Sequence, residues 1–122
     1  MREYTFSIPS LTPSLNKFLR MHHMGRWQLK QTLGWEVLVA TNKLDIPPAI
    51  EPKPRAVKIV SHRVSLLDED NLIGGAEPLI NALKDMRLIY DDRPTLLELD
   101  VEQVRVKHRR EQRTEVTISF VE

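Results

Sequence analysis

Hydrophobic and polar positions alternate from the start of the chain. Tyr4, Phe6 and Ile8 fall on one side and Glu3, Thr5 and Ser7 on the other, the period of a strand with one buried face. Pro9 ends that strand. Residues 10–25 lose the alternation, hold Pro13, Ser14 and Asn16, and then run into the basic, histidine-bearing stretch from Lys17 to His23, which predicts an ordered loop. Over residues 26–44 the apolar positions Leu29, Leu33, Val37, Ala40 and Leu44 recur at helical spacing, with Trp27 and Trp35 expected to pack at the flanks; Pro47-Pro48 stops the helix. Four prolines in residues 46–54 suit a stiff connector rather than a helix or a sheet interior.

The second half repeats the scheme. Residues 56–67 alternate around Val57 and Ile59, continue through Val64 and Leu66, and run into Asp68-Glu69-Asp70-Asn71, so an acidic cluster is expected at a strand end. Leu72, Ala76, Leu79, Ile80 and Leu83 keep helical spacing, with Gly74-Gly75 expected to form the turn entering the helix and Pro78 tolerable only in its first turn. A second acidic pair, Asp91-Asp92, punctuates a helix-to-strand connection. Leu97, Leu99 and Val101 share one parity, Val104 and Val106 the other, which predicts a bulge near Glu102-Gln103. A last strand alternates at Val116, Ile118 and Phe120, joined to the previous one by a basic hairpin tip at residues 107–113. The expectation is a single α+β domain, a mixed sheet of about four strands packed with two main helices.

Length and composition narrow the classes. The 122 residues, 41% hydrophobic and 29% charged, suit one globular core, with no apolar run long enough for a membrane span or a signal peptide, so a cytoplasmic location is expected. Without cysteine, disulfides and thiolate-bound zinc are excluded, and any metal must take oxygen or imidazole ligands. The formal charge of +1 is unevenly spread. Residues 1–63 carry ten Lys/Arg against four Asp/Glu, residues 64–104 three against ten, and residues 105–122 five against three. An acidic centre flanked by basic arms is the distribution expected when a metal site works on a polyanion.

The chemistry follows from that centre. Asp68 and Asp70 stand two apart and can converge on one ion if the backbone bends, and Asp92 can join them by tertiary folding. Three carboxylates suit Mg²⁺, which prefers oxygen ligands and completes its shell with water and substrate phosphate. The competing reading is that Asp68 or Asn71 caps a helix and Asp91-Asp92 form a polar turn. A calcium loop of the EF-hand kind fails, because it would need an oxygen ligand at Leu72, glycine at Ile73 and an acid at Leu79. An aspartyl phosphotransferase would need a larger parallel domain. His22-His23, His62 and His108 do not form a zinc pattern, since the adjacent pair does not share a helical face.

Asp68-Glu69-Asp70-Asn71-Leu72, followed by Leu83 and then Asp91-Asp92, resembles the RusA-type Holliday-junction resolvases of phages and prophages, as does Pro13-Ser14-Leu15-Asn16 with Arg20 beyond it. The resemblance implies that Asp68, Asp70 and Asp92 are the catalytic, metal-binding acids, with Asp91 supporting them. It further implies Mg²⁺, with Mn²⁺ as substitute, a homodimer, and four-way branched DNA as substrate. No small-molecule cofactor and no membrane enters that picture. Two positions depart from the family. Glu77 stands where a lysine is common in the helix after Asp-Asn-Leu, and Arg87 where a glycine is frequent before the acidic pair. Glu77 beside the metals would add negative charge where a cation stabilises the transition state, a role left to Lys84 or Arg87. A catalytically inactive junction-binding protein of the same fold is the alternative that Glu77 motivates. For DNA contact the candidates are Asn16, Lys17, Arg20, Arg26, Lys30 and Asn71, with Arg109, Arg110 and Arg113 near the other end. Phosphates rather than base edges are the expected target, because no helix-turn-helix, zinc finger or heptad pattern is present.

Overall fold

The computed structural model describes residues 1–121. Four strands form one sheet: β1 (Arg2–Ile8), β2 (Arg55–Arg63), β3 (Leu97–Arg105) and β4 (Arg113–Phe120), in the spatial order β1-β4-β2-β3. β4 pairs antiparallel with both β1 and β2, whereas β2 and β3 run parallel. Parallel neighbours cannot be joined by a tight turn, and the crossover is supplied by two helices, α3 (Glu69–Gly75) and α4 (Glu77–Asp85). The N-terminal half adds α1 (Leu15–Arg20) and α2 (His23–Thr41). The molecule is therefore a single α+β domain in which a mixed four-stranded sheet packs against two main helices, α2 and α4.

One sheet face is buried. Phe6, Ile8, Val57, Ile59, Val116 and Ile118 point at Leu33 and Val37 of α2 and at Leu79 and Leu83 of α4. The other face is polar, with Thr5 bonded to Thr117 (3.0 Å) and Lys58 paired with Glu102 (3.0 Å). The proline-rich connector is tied down by Arg55, whose guanidinium donates to Pro47 O (2.7 Å) and Leu88 O (2.9 Å) and lies over the Phe120 ring. Burial lowers the pKa of this group, and its two carbonyl partners and the ring face compensate the desolvated charge.

Several details differ from the sequence expectation. Residues 10–25 are not a loop throughout. Ser14 caps α1 by accepting from Lys17 N (3.1 Å), and α2 starts at His23 and ends at Thr41, earlier at both ends than the apolar spacing alone indicates. Trp27 and Trp35 are 56% and 66% exposed, so the flanks of α2 do not bury them. β2 stops at Arg63, because Val64 N turns away to Gln112 Oε1 (3.0 Å). No bulge interrupts β3, whose register with β2 is continuous from Arg55–Leu97 to Arg63–Arg105; the parity change only marks Val104 as an exposed residue on the polar face. Residues 107–113 are not a hairpin tip either, since β4 lies between β1 and β2. The chain passes the end of β2 through a 3-10 turn at Arg109–Glu111. Gly74-Gly75 close α3 instead of opening the next helix, and Pro78 does sit in the first turn of α4.

Candidate metal and nucleic-acid site

The C-terminal end of β2 is where the N-terminal motif and the first acidic cluster meet. Arg63, the last residue of the strand, is buried, and its Nη2 donates to both the carbonyl and the hydroxyl of Thr12. Thr114 Oγ1 donates to Ser10 O (2.8 Å) from the neighbouring strand. Residues 10–14 are thereby strapped across the sheet end. α1 then docks on α3, where Asn16 N donates to Asn71 Oδ1 (2.9 Å). Gly74 and Gly75 make this approach possible. A Cβ on Gly75 would stand 1.8 Å from Pro13 O, and one on Gly74 2.8 Å from the Leu15 side chain.

Asn71 is the hub of this end. Its Nδ2 donates to both carboxylate oxygens of Asp68 (3.1 and 3.0 Å), and its backbone N–H donates to Asp68 Oδ1 (2.9 Å), making Asp68 the N-cap of α3. These bonds, the backbone one foremost, hold the Asp68 carboxyl below its ordinary pKa, so it stays ionised and oriented. Leu67, just before it, is clamped by the Gln103 amide, which accepts from Leu67 N (3.0 Å) and donates to Leu67 O (2.7 Å). Asp70 is exposed in the first turn of α3 and shares an open cleft with Leu15, Asn16, Asp68, Glu69 and Asn71. Capping and a ligand role are compatible here, because Asp68 Oδ1 takes two of the three bonds and Oδ2 only one, which leaves Oδ2 a second lone pair.

Asp91 and Asp92 occupy a different place. Lys84 Nζ lies 2.9 Å from Asp91 and 3.8 Å from Asp92, Arg93 Nε is 2.6 Å from Asp91, and Asp92 N donates to Asp91 Oδ1 (2.8 Å). The Lys84 bond, followed by that amide, holds the Asp91 carboxyl far below the usual carboxylate range. Asp91 is thus a neutralised anchor for the turn, and Asp92 is the more open acid of the pair. Arg87 precedes this turn at φ 60°, the left-handed region in which glycine is favoured, and its carbonyl accepts from Ala49 N (2.7 Å). That geometry gives a physical reason for the glycine which the resembling family often carries there.

The parallel topology separates the two acidic groups within one chain. Leu67 is held level with Gln103 near the end of β3, whereas Arg93 O accepts from Leu97 N (2.9 Å) at its beginning. Six residue steps lie between, roughly 20 Å at ~3.3 Å each. The structure therefore brings Asp68 and Asp70 together with Asn16 and Asn71, but does not bring Asp92 to them. Among the described residues no three His, Cys, Asp or Glu side chains stand close enough to hold one ion. The Asp68–Asp70 end alone fits a partial ligand set for a hard cation, an ionised and oriented carboxylate with a second acid two residues on.

The cations sort by position. Lys17 and Arg20 stand on α1 beside the cleft, and Lys17 also borders a groove reaching Ser65, Leu67 and Gln112, next to the turn that carries Arg109 and Arg110. All of these lie at the same end of the sheet as Asp68. Arg26 donates to Leu19 O (3.1 Å) and lies over the Phe18 ring, bracing α1 on α2. Lys30 is paired with Asp85 (3.1 Å), and Arg113 is held by Glu111 O and Glu115. The histidines do other work. His22 caps α2 and its ring lies tilted against that of His23, His62 Nε2 approaches Glu115 (3.0 Å), and His108 precedes the 3-10 turn with its backbone N–H donating to Glu111 Oε1 (2.9 Å). Sequence reasoning missed the structural weight of Thr12, Arg63 and Gln103, whose roles depend on contacts across 51 and 36 residues. No family model and no curated protein matches the chain.

Proposed function

We propose that this protein is a metal-dependent endonuclease acting on branched DNA, of the RusA-type resolvase class that its motifs resemble. The observation that carries the reading is the docking of the two motifs on each other. The Pro13-Ser14-Leu15-Asn16 segment is seated on the Asp68–Asn71 turn through Asn16 and Asn71, which sets the cations of α1 beside the acids. Mg²⁺ bound there supplies a Lewis acid and an activated water. Asp68, kept ionised by Asn71, and Asp70 hold it; Lys17, Arg20, Arg109 and Arg110 take the phosphates on either side of the cleft. None of these contacts needs a base edge, which suits recognition by shape.

The test is cleavage of a synthetic four-way junction and its matching linear duplex by wild-type and Asp70→Asn protein, with and without Mg²⁺. Metal-dependent nicks confined to the junction and lost in the variant are expected, with junction binding retained, since Asp70 is exposed and supports no packing. Wild-type protein that binds the junction and never cuts it would favour an inactive binder, a reading motivated by the exposed Glu77 at the start of α4.

A further inference from the structure

We infer that the groove beside the 10–14 strap is an anion site for the terminal phosphate of a nucleotide, with Arg63 as its receptor. Arg63 is 6% exposed and lines this groove of about 410 Å³, which lies between α1, α2 and the end of β2. Its partners among the described residues are the carbonyl and hydroxyl of Thr12, and both bonds fall on Nη2. Nε has no partner. Burial lowers the pKa of the guanidinium, and no neighbouring acid raises it back. Arg55 is buried too, but two carbonyls and the Phe120 ring compensate it. A desolvated cation without a counter-charge is costly, and an anion in the groove removes that cost.

The rest of the lining has the same sign. Lys17 stands at the rim, and no described Asp or Glu lines the groove. Gln112 Oε1 is taken by Val64 N, which leaves its Nε2 to donate, and Ser14 and Ser65 add hydroxyls. A guanidinium fork, an ammonium, an amide and hydroxyls offer more donors than a carboxylate accepts. They match a doubly charged phosphate with three terminal oxygens. The other walls are apolar, from Leu11, Met21 and Leu29, and give a base a surface to lie on. Only an unpaired, unstacked base has a face free for them. Such a phosphate comes from the end of a DNA strand or from a free mononucleotide. The groove is separate from the acids of α3 and needs no metal.

The test is run in EDTA, so that neither metal nor cleavage contributes. Added dAMP should raise the Tm of the wild-type protein and shift the Arg63 Nε–H resonance, while deoxyadenosine does neither. Lys17→Ala, an exposed change that leaves the strap in place, should weaken dAMP binding about tenfold. Arg63→Lys, which keeps the charge and loses the fork, should weaken it at least as much. No Arg63 shift with millimolar dAMP would overturn the inference, and an equal response to acetate would overturn the phosphate assignment. Single-stranded oligonucleotides with and without terminal phosphates separate the sources. A response to the phosphorylated strand alone puts a strand end in the groove, and a response confined to dAMP makes the free nucleotide the ligand. Equal responses to both strands would show that internal phosphates suffice and would sink the terminal-phosphate assignment. None of these outcomes depends on whether junctions are cut.

Discussion

Gly75→Ala is the substitution in which sequence propensity and structure disagree in sign. Gly75 is the last residue of α3, and exchanging glycine for alanine in a helix is worth up to about 1 kcal/mol in favour of the variant. Against that, the new Cβ would stand 1.8 Å from Pro13 O, 2.9 Å from Pro13 C and 3.1 Å from Leu15 N. A carbon and a carbonyl oxygen need about 3.3 Å, so the strap must retreat by roughly 1.5 Å. It is backbone, held by Arg63 through Thr12 and by the Ser14 cap, and cannot turn aside as a side chain would. Overpacking of this kind costs about 1–3 kcal/mol and more where backbone must move; a net loss of about 2 kcal/mol is expected, a fall in Tm of roughly 5–15 °C for a domain of this size. Gly34→Ala is the control. Gly34 lies inside α2 with no atom within 4 Å of an added Cβ, so that variant should gain about 0.5–1 kcal/mol. Urea and thermal melts of both variants measure the difference, and hydrogen exchange should show the amides of α1 losing protection only in Gly75→Ala. Equal stabilisation by both substitutions would refute the claim that α1 and its strap press on α3.

Three further outcomes are expected. Arg87→Gly should leave stability unchanged or raise it by up to about 1 kcal/mol, since a non-glycine residue at φ 60° carries a steric cost that glycine does not; a clear loss in a urea melt would contradict that account. For Asp68 the folded pKa is depressed, so its contribution to stability is present above the unfolded value and lost as pH falls through the folded one. Asn71→Ala should raise the Asp68 carboxyl toward the ordinary aspartate value and flatten the acid limb of the stability–pH curve, both readable by NMR titration and by melts across the acid range. Arg110→Ala should weaken junction binding and reduce the slope of log K against log salt by about 1, whereas an exposed cation remote from the cleft, Lys43, should leave the slope unchanged.

The sequence revealed some of this and hid the rest for identifiable reasons. Period-two and helical spacing located every strand, α2 and α4, because burial of one face writes itself directly into residue choice at Phe6, Ile8, Leu33, Val37, Leu79 and Leu83. α1 escaped because it buries no residue and owes its ends to a cap and a tertiary contact. Strand order escaped too. Nothing local tells β4 to insert between β1 and β2, and the expected hairpin was the shorter connection. The candidate site divides along the same line. Asp68, Asn71 and Asn16 could be named from motifs, and their mutual hydrogen bonds give those motifs a physical reason. The relation of Asp92 to Asp68, however, is a property of strand direction. An antiparallel β3 would have carried Asp92 to the same end as Asp68; a parallel one, required by the α3–α4 crossover, carries it to the other. Proximity in a motif list thus becomes distance in the fold, because the direction of β3 and not the spacing of the motifs decides which end of the sheet each acid occupies.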